Sequence, residues 1–200
     1  MTRVLLASRN AKKLDEMRRI LHEVAPDVEV LGLDDVPPYD EPPETEPTFD
    51  GNALIKARAA TQTTGLPALA DDSGLCVDAL SGMPGVLSAR WSGAPRSDDR
   101  NNELLLQQLR DTPDERRGAE FRCAVALCHP DGGEDVVFGV MRGRITRVPR
   151  GQGGFGYDVV FAPAGDSRTS AELPPEEKDA ISHRGKALRR IAPIVAALPG

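Results

Sequence analysis

The chain is short of cysteine, of aromatic side chains, of excess positive charge and of long apolar runs, and each shortage removes a class of protein. Its three cysteines, Cys76, Cys123 and Cys128, have no zinc-ligand spacing and leave an odd thiol. Set among apolar neighbours, each reads as a small buried hydrophobe, which suits a reducing cytosol. Lys and Arg number 25 against 31 Asp and Glu, a formal net charge of −6. A nucleic-acid binder usually presents a basic surface, so no nucleic-acid partner is expected, although a few lysines suffice for a small anion. No apolar run approaches the ~20 residues of a membrane-spanning helix, so no membrane partner is expected either. The start, Met1-Thr2-Arg3 followed by Val4-Leu5-Leu6-Ala7, is too short for a signal peptide's apolar region. These absences together describe a soluble, cytoplasmic protein.

What is present is a globular composition, 40% hydrophobic and 28% charged over 200 residues, long enough for one large domain or two small lobes sharing a core. The stretch with the most unusual chemistry is Gly151-Gln152-Gly153-Gly154-Phe155-Gly156-Tyr157-Asp158, running into Val159-Val160-Phe161. Glycines allow a ligand to approach the backbone, and Phe155 and Tyr157 add flat surfaces beside the acceptor Asp158. The loop suits a planar ring above a sheet edge, or it is a structural turn before a strand.

Along the chain, Arg3–Ala7 reads as a strand, and Leu14, Met17, Leu21 and Val24 mark one face of a helix. The turn between them, Ser8-Arg9-Asn10-Ala11-Lys12-Lys13, lacks the Walker pattern. It presents backbone N–H groups and lysines to a phosphate, or else Ser8 or Asn10 caps the helix and the lysines are solvated. A short strand is expected over Val28–Leu33. Asp34–Pro47 is an acidic, proline-rich connection carrying Glu41, Glu44 and Glu46, long enough to suggest a functional loop. An alanine-rich helix follows at Ala53–Thr63 with Lys56 on it. Pro67–Ala70 reads as a strand ending in Asp71-Asp72-Ser73-Gly74. Adjacent acids at a strand end need a cleft or a partner. Magnesium would be such a partner, and Asp-Ser-Gly also suits an ordinary turn.

Leu75–Leu80 resumes an extended pattern, and Ser97 caps a helix over Asp98–Arg110. A hairpin is predicted from Phe121–His129 and Glu134–Val148, with Gly139 and Gly143 as bulges or points of twist. A helix begins near Pro174-Pro175, breaks at Ser182-His183-Arg184-Gly185 and resumes over Lys186–Leu198. Lys178, His183 and Arg184 on that bent segment form a donor array for an oxidised base or a phosphate. His22 and His129 read as surface or edge residues.

Six stretches carry a resemblance in common: Leu6–Lys13, Thr48–Ala57, Ala70–Leu75, Pro84–Arg90, Gly153–Asp158 and Glu177–Gly185. In this order, and over nearly the whole chain, they resemble the non-canonical purine nucleoside triphosphate pyrophosphatases, the inosine triphosphatase-like or HAM1-like (XTP/dITP diphosphatase) enzymes. The resemblance implies one domain over residues 1–200, an α/β fold with a strongly twisted mixed sheet and flanking helices, and two lobes around a central cleft. It also implies a homodimer, and Mg²⁺-dependent hydrolysis of ITP, dITP and XTP to the monophosphate and pyrophosphate. On that likeness Ser8, Arg9, Asn10, Ala11, Lys12 and Lys13 form the triphosphate turn, with Lys56 also reaching the phosphates. Asp72 is the catalytic acid and a metal ligand, Glu44 a second metal ligand, and Ser73 a substrate contact. Phe155, Gly156, Tyr157, Asp158, Lys178, His183 and Arg184 form the base-recognition set, and Asp71 or Asp72 orients the water. Two positions depart from the family pattern. Arg9 stands where many members have glycine, and Gly51 stands where a glutamate commonly precedes Asn52. Other readings are a related hydrolase of methylated pyrimidine nucleotides and a nucleotide sensor without catalysis.

Overall fold

The computed structural model describes residues 2–198. Its strands are β1 (Arg3–Leu6), β2 (Glu29–Leu31), β3 (Ala68–Val77), β4 (Gly118–Cys128), β5 (Glu134–Ile145) and β6 (Phe161–Pro163). Its α-helices are α1 (Ala11–Val24), α2 (Phe49–Thr64), α3 (Asp98–Gln108), α4 (Pro175–Ile181) and α5 (His183–Ala196). The strands form one six-stranded sheet in the order β2-β1-β3-β4-β5-β6. β1 runs parallel to β2 and β3, whereas β5 and β6 are antiparallel, so the expected mixed sheet of an α/β fold is present. No helix among the described residues is long and apolar enough to cross a membrane.

Two compact units divide the chain. The first comprises the described residues of Met1–Asp72, Cys123–Gly139 and Arg184–Gly200, and the second Ser73–Arg122 and Val140–His183. In the first unit β1, β3 and β4 are buried on both faces, and alternation sorts their side chains between two apolar clusters. Val4, Leu6, Leu69, Cys123, Val125 and Leu127 pack with Met17, Ile20 and Leu21 of α1 and Leu188 and Ile191 of α5. Their neighbours Leu5, Ala7, Ala68, Ala70, Ala124 and Ala126 pack with Ala53, Ala57 and Ala60 of α2. Alanine on both surfaces lets that helix approach the sheet closely. In the second unit Leu75, Val77, Phe121, Met141, Ile145, Tyr157, Val160 and Phe161 form the core with Leu105 of α3 and Leu109 just after it.

Helix boundaries follow their caps. Asn10 accepts the Lys13 N–H at the start of α1 at 3.2 Å, and Ser97 accepts the Arg100 N–H at the start of α3 at 3.2 Å, both as expected. Thr48 accepts the Gly51 N–H and starts α2 at Phe49, four residues before the alanine run. The largest departure from expectation is β3. It runs straight through Asp71-Asp72-Ser73-Gly74, because the acids are compensated inside the strand and need no turn. Gly143 pairs with Pro163, and a side chain there would strike the Ala162 carbonyl and the Phe161 ring. Val159 and Val160 close a 3-10 turn, with the strand starting at Phe161. The break between α4 and α5 narrows to the extended residue Ser182, so His183 and Arg184 open α5.

Candidate active site

Strand alternation splits the acidic pair. Asp71 shares the face of Leu69, toward α1 and α5, while Asp72 shares the face of Ala68 and Ala70, toward α2. Asp71 is met accordingly by Lys13 of α1, Nζ to Oδ2 at 3.0 Å, and by Arg184 of α5, Nε to Oδ2 at 3.2 Å. Arg184 also pairs with Glu16, and the three side chains of Asp71, Arg184 and Glu16 are almost fully buried. Burial alone would raise the Asp71 pKa. The charges of Lys13, Arg184 and Lys56 outweigh it and hold the carboxyl well below the usual carboxylate range.

On the other face, Asn52 of α2 donates from Nδ2 to Asp72 Oδ2 at 3.1 Å. Lys56, one helical turn further, donates to the Asp71 carbonyl at 2.7 Å and to Glu44 Oε1 at 2.9 Å. Burial raises the Asp72 pKa. Lys56 and Lys13 pull it down, but the nearby negative charge of Glu44 adds to burial and the net shift is upward. Lys56 is also raised: burial opposes its charge, but Asp71, Asp72 and Glu44 stabilise it. Glu44, Asp72 and Lys56 therefore form one electrostatic cluster, with the long acidic loop supplying Glu44.

The turn before α1 carries the other sequence-predicted residues of this unit. Ser8 accepts the Asn10 N–H at 3.3 Å, and Arg9, Asn10, Ala11 and Lys12 are exposed at the helix start. Arg9 turns toward the acidic loop, donating to the Tyr39 carbonyl at 2.9 Å and lying 3.5 Å from Glu41. That orientation explains how an arginine is tolerated in place of glycine. Glu16 is a partner that motif reading had not singled out, and Asn52 was named there without a partner. Glu16 lies one turn from Lys13, and Asn52 one turn from Lys56, so helical spacing from the chosen lysines was the available signal.

In the second unit the glycine loop is held from several directions. Asp158 Oδ2 accepts the Phe155 N–H at 2.9 Å and the Lys178 ammonium at 2.7 Å, and that ammonium lies 5.1 Å from the Phe155 ring centroid. Gly154 has φ +68°, and a Cβ there would strike the Asp158 carboxylate. Asp98 and Asn102 of α3 bind the Gly156 N–H and carbonyl at 2.8 and 2.9 Å. Gly153 donates to Ala171. Tyr157 is buried with its hydroxyl on the Ser88 carbonyl at 2.9 Å, and burial pushes its pKa upward. His183 is buried, its ring stacked on Phe121 at a centroid distance of 4.8 Å. Ser73 is half-buried in β3. Of the seven residues assigned to a base, the structure brings Phe155, Asp158 and Lys178 into mutual contact. Tyr157 and His183 lie against other core residues, and Arg184 lies in the ion-pair network of the first unit.

The geometry describes an α/β protein with an exposed, lysine-bearing helix start and a buried carboxylate–lysine cluster in the first unit, and a hydrogen-bonded aromatic glycine loop in the second. The family model described as the Ham1 family matches residues 4–194, and the chain belongs to that family. It is 62% identical to the dITP/XTP pyrophosphatase of Nocardia farcinica over 199 residues, 99% of this chain and 97% of that one. It is 52% identical to the dITP/XTP pyrophosphatase of Streptomyces coelicolor over the full length of both chains. Among solved structures, the nucleoside-triphosphatase (dITP/XTP pyrophosphatase) of Mycobacterium abscessus is similar at 58% identity and a TM-score of 0.78. The match covers 96% of this chain and 99% of that one. A HAM1 protein of Coxiella burnetii is similar at 41% identity and a TM-score of 0.87, covering 99% and 100%. The resemblance carried by the six sequence stretches is thereby borne out.

Proposed function

We propose that this Ham1-family chain is a hydrolase of non-canonical purine nucleoside triphosphates. Water is added across the α–β phosphoanhydride of dITP, XTP or ITP, and the products are the monophosphate and pyrophosphate. The observation that carries the reading is the split acidic pair. Asp71 is engaged at Oδ2 by both Lys13 and Arg184 and held below its usual pKa, so it is a poor proton acceptor and a good scaffold. Asp72 faces Asn52 and Glu44 with its pKa raised, as befits a carboxylate that orients or deprotonates water. The close relatives bear the name dITP/XTP pyrophosphatase, which agrees.

The donor set also fits magnesium. Asp72 and Glu44 are hard oxygen donors whose mutual repulsion is one cause of the raised Asp72 pKa. Among the described residues no group of three or more His, Cys, Asp or Glu is placed to hold a metal ion. A cation that takes a pair of carboxylates and completes its shell with phosphate oxygens and water matches this arrangement. Asp72 and Glu44 would hold it, and its chemistry would be to neutralise charge on the phosphates. The exposed start of α1 and Lys12 would bind phosphate through backbone N–H groups and charge, with Lys13 and Lys56 adding positive potential beside it. Phe155 would stack on the base. Lys178 would donate toward the C6 carbonyl that hypoxanthine and xanthine present and adenine lacks. The cellular role would be cleansing the cytoplasmic nucleotide pool of deaminated purines, performed by a homodimer.

The test is pyrophosphate release from dITP, XTP, ITP, GTP and ATP at equal concentration, with Mg²⁺ and with EDTA. Metal-dependent release from the first three, far above the last two, is expected. Binding of dITP without release would overturn catalysis. Equal rates on all five would overturn the base preference.

A further inference from the structure

One amide ties the acidic loop to the catalytic strand. Asn52 is fully buried, and its two ends serve different partners. Oδ1 accepts the Glu46 N–H at 2.9 Å, and Nδ2 donates to Asp72 Oδ2 at 3.1 Å. Glu46 lies two residues beyond Glu44, so pinning its backbone restrains the position of the Glu44 carboxylate. The same amide donates to one oxygen of the Asp72 carboxylate. The residue before it makes this approach possible. A Cβ on Gly51 would lie 2.6 and 2.7 Å from Glu46 Cβ and Cγ, and 3.1 Å from Thr48 Oγ1. The stem of Glu46 fills the space where residue 51 would carry its side chain. The glycine that departs from the family pattern is therefore matched to a loop that folds down onto the first turn of α2.

We propose that Asn52 is a positioning residue that fixes the Glu44 loop and the Asp72 carboxylate relative to each other, with Gly51 as the space the loop closes into. The chemistry of an amide is what the position demands. An acceptor is needed toward a backbone N–H, a donor toward a carboxylate, and no net charge beside Asp72. Lys56, one turn on, holds Glu44 by charge, whereas Asn52 holds the loop by its backbone. The two tethers differ in kind, and the second survives any change in the ionisation of Glu44.

This inference rests on the proposed hydrolysis, and its test separates the two. Asn52→Ala and Asn52→Asp are compared with the wild type by kcat and KM for dITP, and by amide hydrogen exchange at Glu46 in the metal-free protein. Asn52→Ala removes both bonds, so kcat falls about 10- to 100-fold, KM changes less, and Glu46 exchange quickens about tenfold. Asn52→Asp keeps the acceptor and loses the donor, so kcat falls similarly while Glu46 stays protected. Wild-type kcat in either folded variant would overturn the Asp72 arm. Unchanged Glu46 exchange in Asn52→Ala would overturn the loop arm. Should the wild type itself release no pyrophosphate, the hydrolytic reading fails and takes the Asp72 arm with it, while the exchange comparison still decides the loop arm.

Discussion

At the scale of single residues, neighbours in sequence have been given opposite tasks by the two-residue period of a strand. Asp71 faces buried Arg184 and half-buried Lys13 while Asp72 faces the loop carboxylate, and no inspection of the dipeptide alone could assign them. The assignment yields a direct contrast. Asp72→Asn preserves the size and the Asn52 contact region while removing the charge, so turnover on dITP should fall at least ~100-fold with little change in melting temperature. Wild-type turnover would dismiss Asp72 from catalysis. Arg184→Met should do the reverse in kind. It leaves Glu16 and Asp71 as buried carboxylates without their arginine, a situation that costs about 3–5 kcal/mol of folding stability. Urea unfolding should show that loss. A stable Arg184→Met protein with only a raised KM would instead support Arg184 as a member of the base-recognition set that the sequence suggested.

Elements show which signals in the chain were legible and which were not. Caps at Asn10 and Ser97, the apolar stripe of α1 and the turn of the hairpin were readable because each depends on a few neighbouring residues. The course of β3 was not, since its acids are met by distant residues, among them Lys13, Lys56 and Arg184, which lie 58, 15 and 113 positions away. The glycine loop was recognised as special, but the reason for Gly154 is a contact with Asp158 rather than bare flexibility. Gly154→Ala should therefore cost more than backbone strain. It would push the Asp158 carboxylate off both the Phe155 N–H and Lys178, releasing the aromatic ring. Gly165→Ala is the matched control: its φ is +83° and no atom lies within 4 Å of the added Cβ. Both variants bear the left-handed penalty of about 1–2 kcal/mol. Only Gly154→Ala should raise KM for dITP, by about tenfold, given a stacking contribution of ~1–3 kcal/mol. Equal KM values in the two variants would contradict the clamp.

For the whole molecule, buried and half-buried thiols and phenols that hold their protons contribute stability that is lost at alkaline pH. Burial shifts Cys76 and Tyr39 upward, and three more such groups come from both units. Burial raises the pKa of Tyr157 and of Cys123, the latter also repelled by Asp71, and pushes Cys128 up to about 11 with Glu134 adding to the effect. Their shortage and apolar settings made the cysteines readable as buried hydrophobes, and all three are buried thiols. The sign of the linkage follows from which state binds the proton more tightly. The folded chain keeps these protons above the ordinary values of 9.0 for the thiols and 10.0 for the phenol, where the unfolded chain has released them. Their contribution is thus complete below pH ~8.5 and is lost progressively as pH rises toward the folded-state values. Melting temperature should be flat from neutrality to about pH 8.5 and decline steeply through pH 11. Tyr157→Phe removes one of these protons together with the bond to the Ser88 carbonyl. At pH 7 it should cost about 0.5–1.5 kcal/mol, and above pH 10 the gap to the wild type should narrow, since the variant has no phenol to ionise on unfolding. A gap that widened with pH would mean that Tyr157 is ionised more readily in the folded chain than in the unfolded one. That would contradict a hydroxyl sealed against Ser88 beneath the glycine loop.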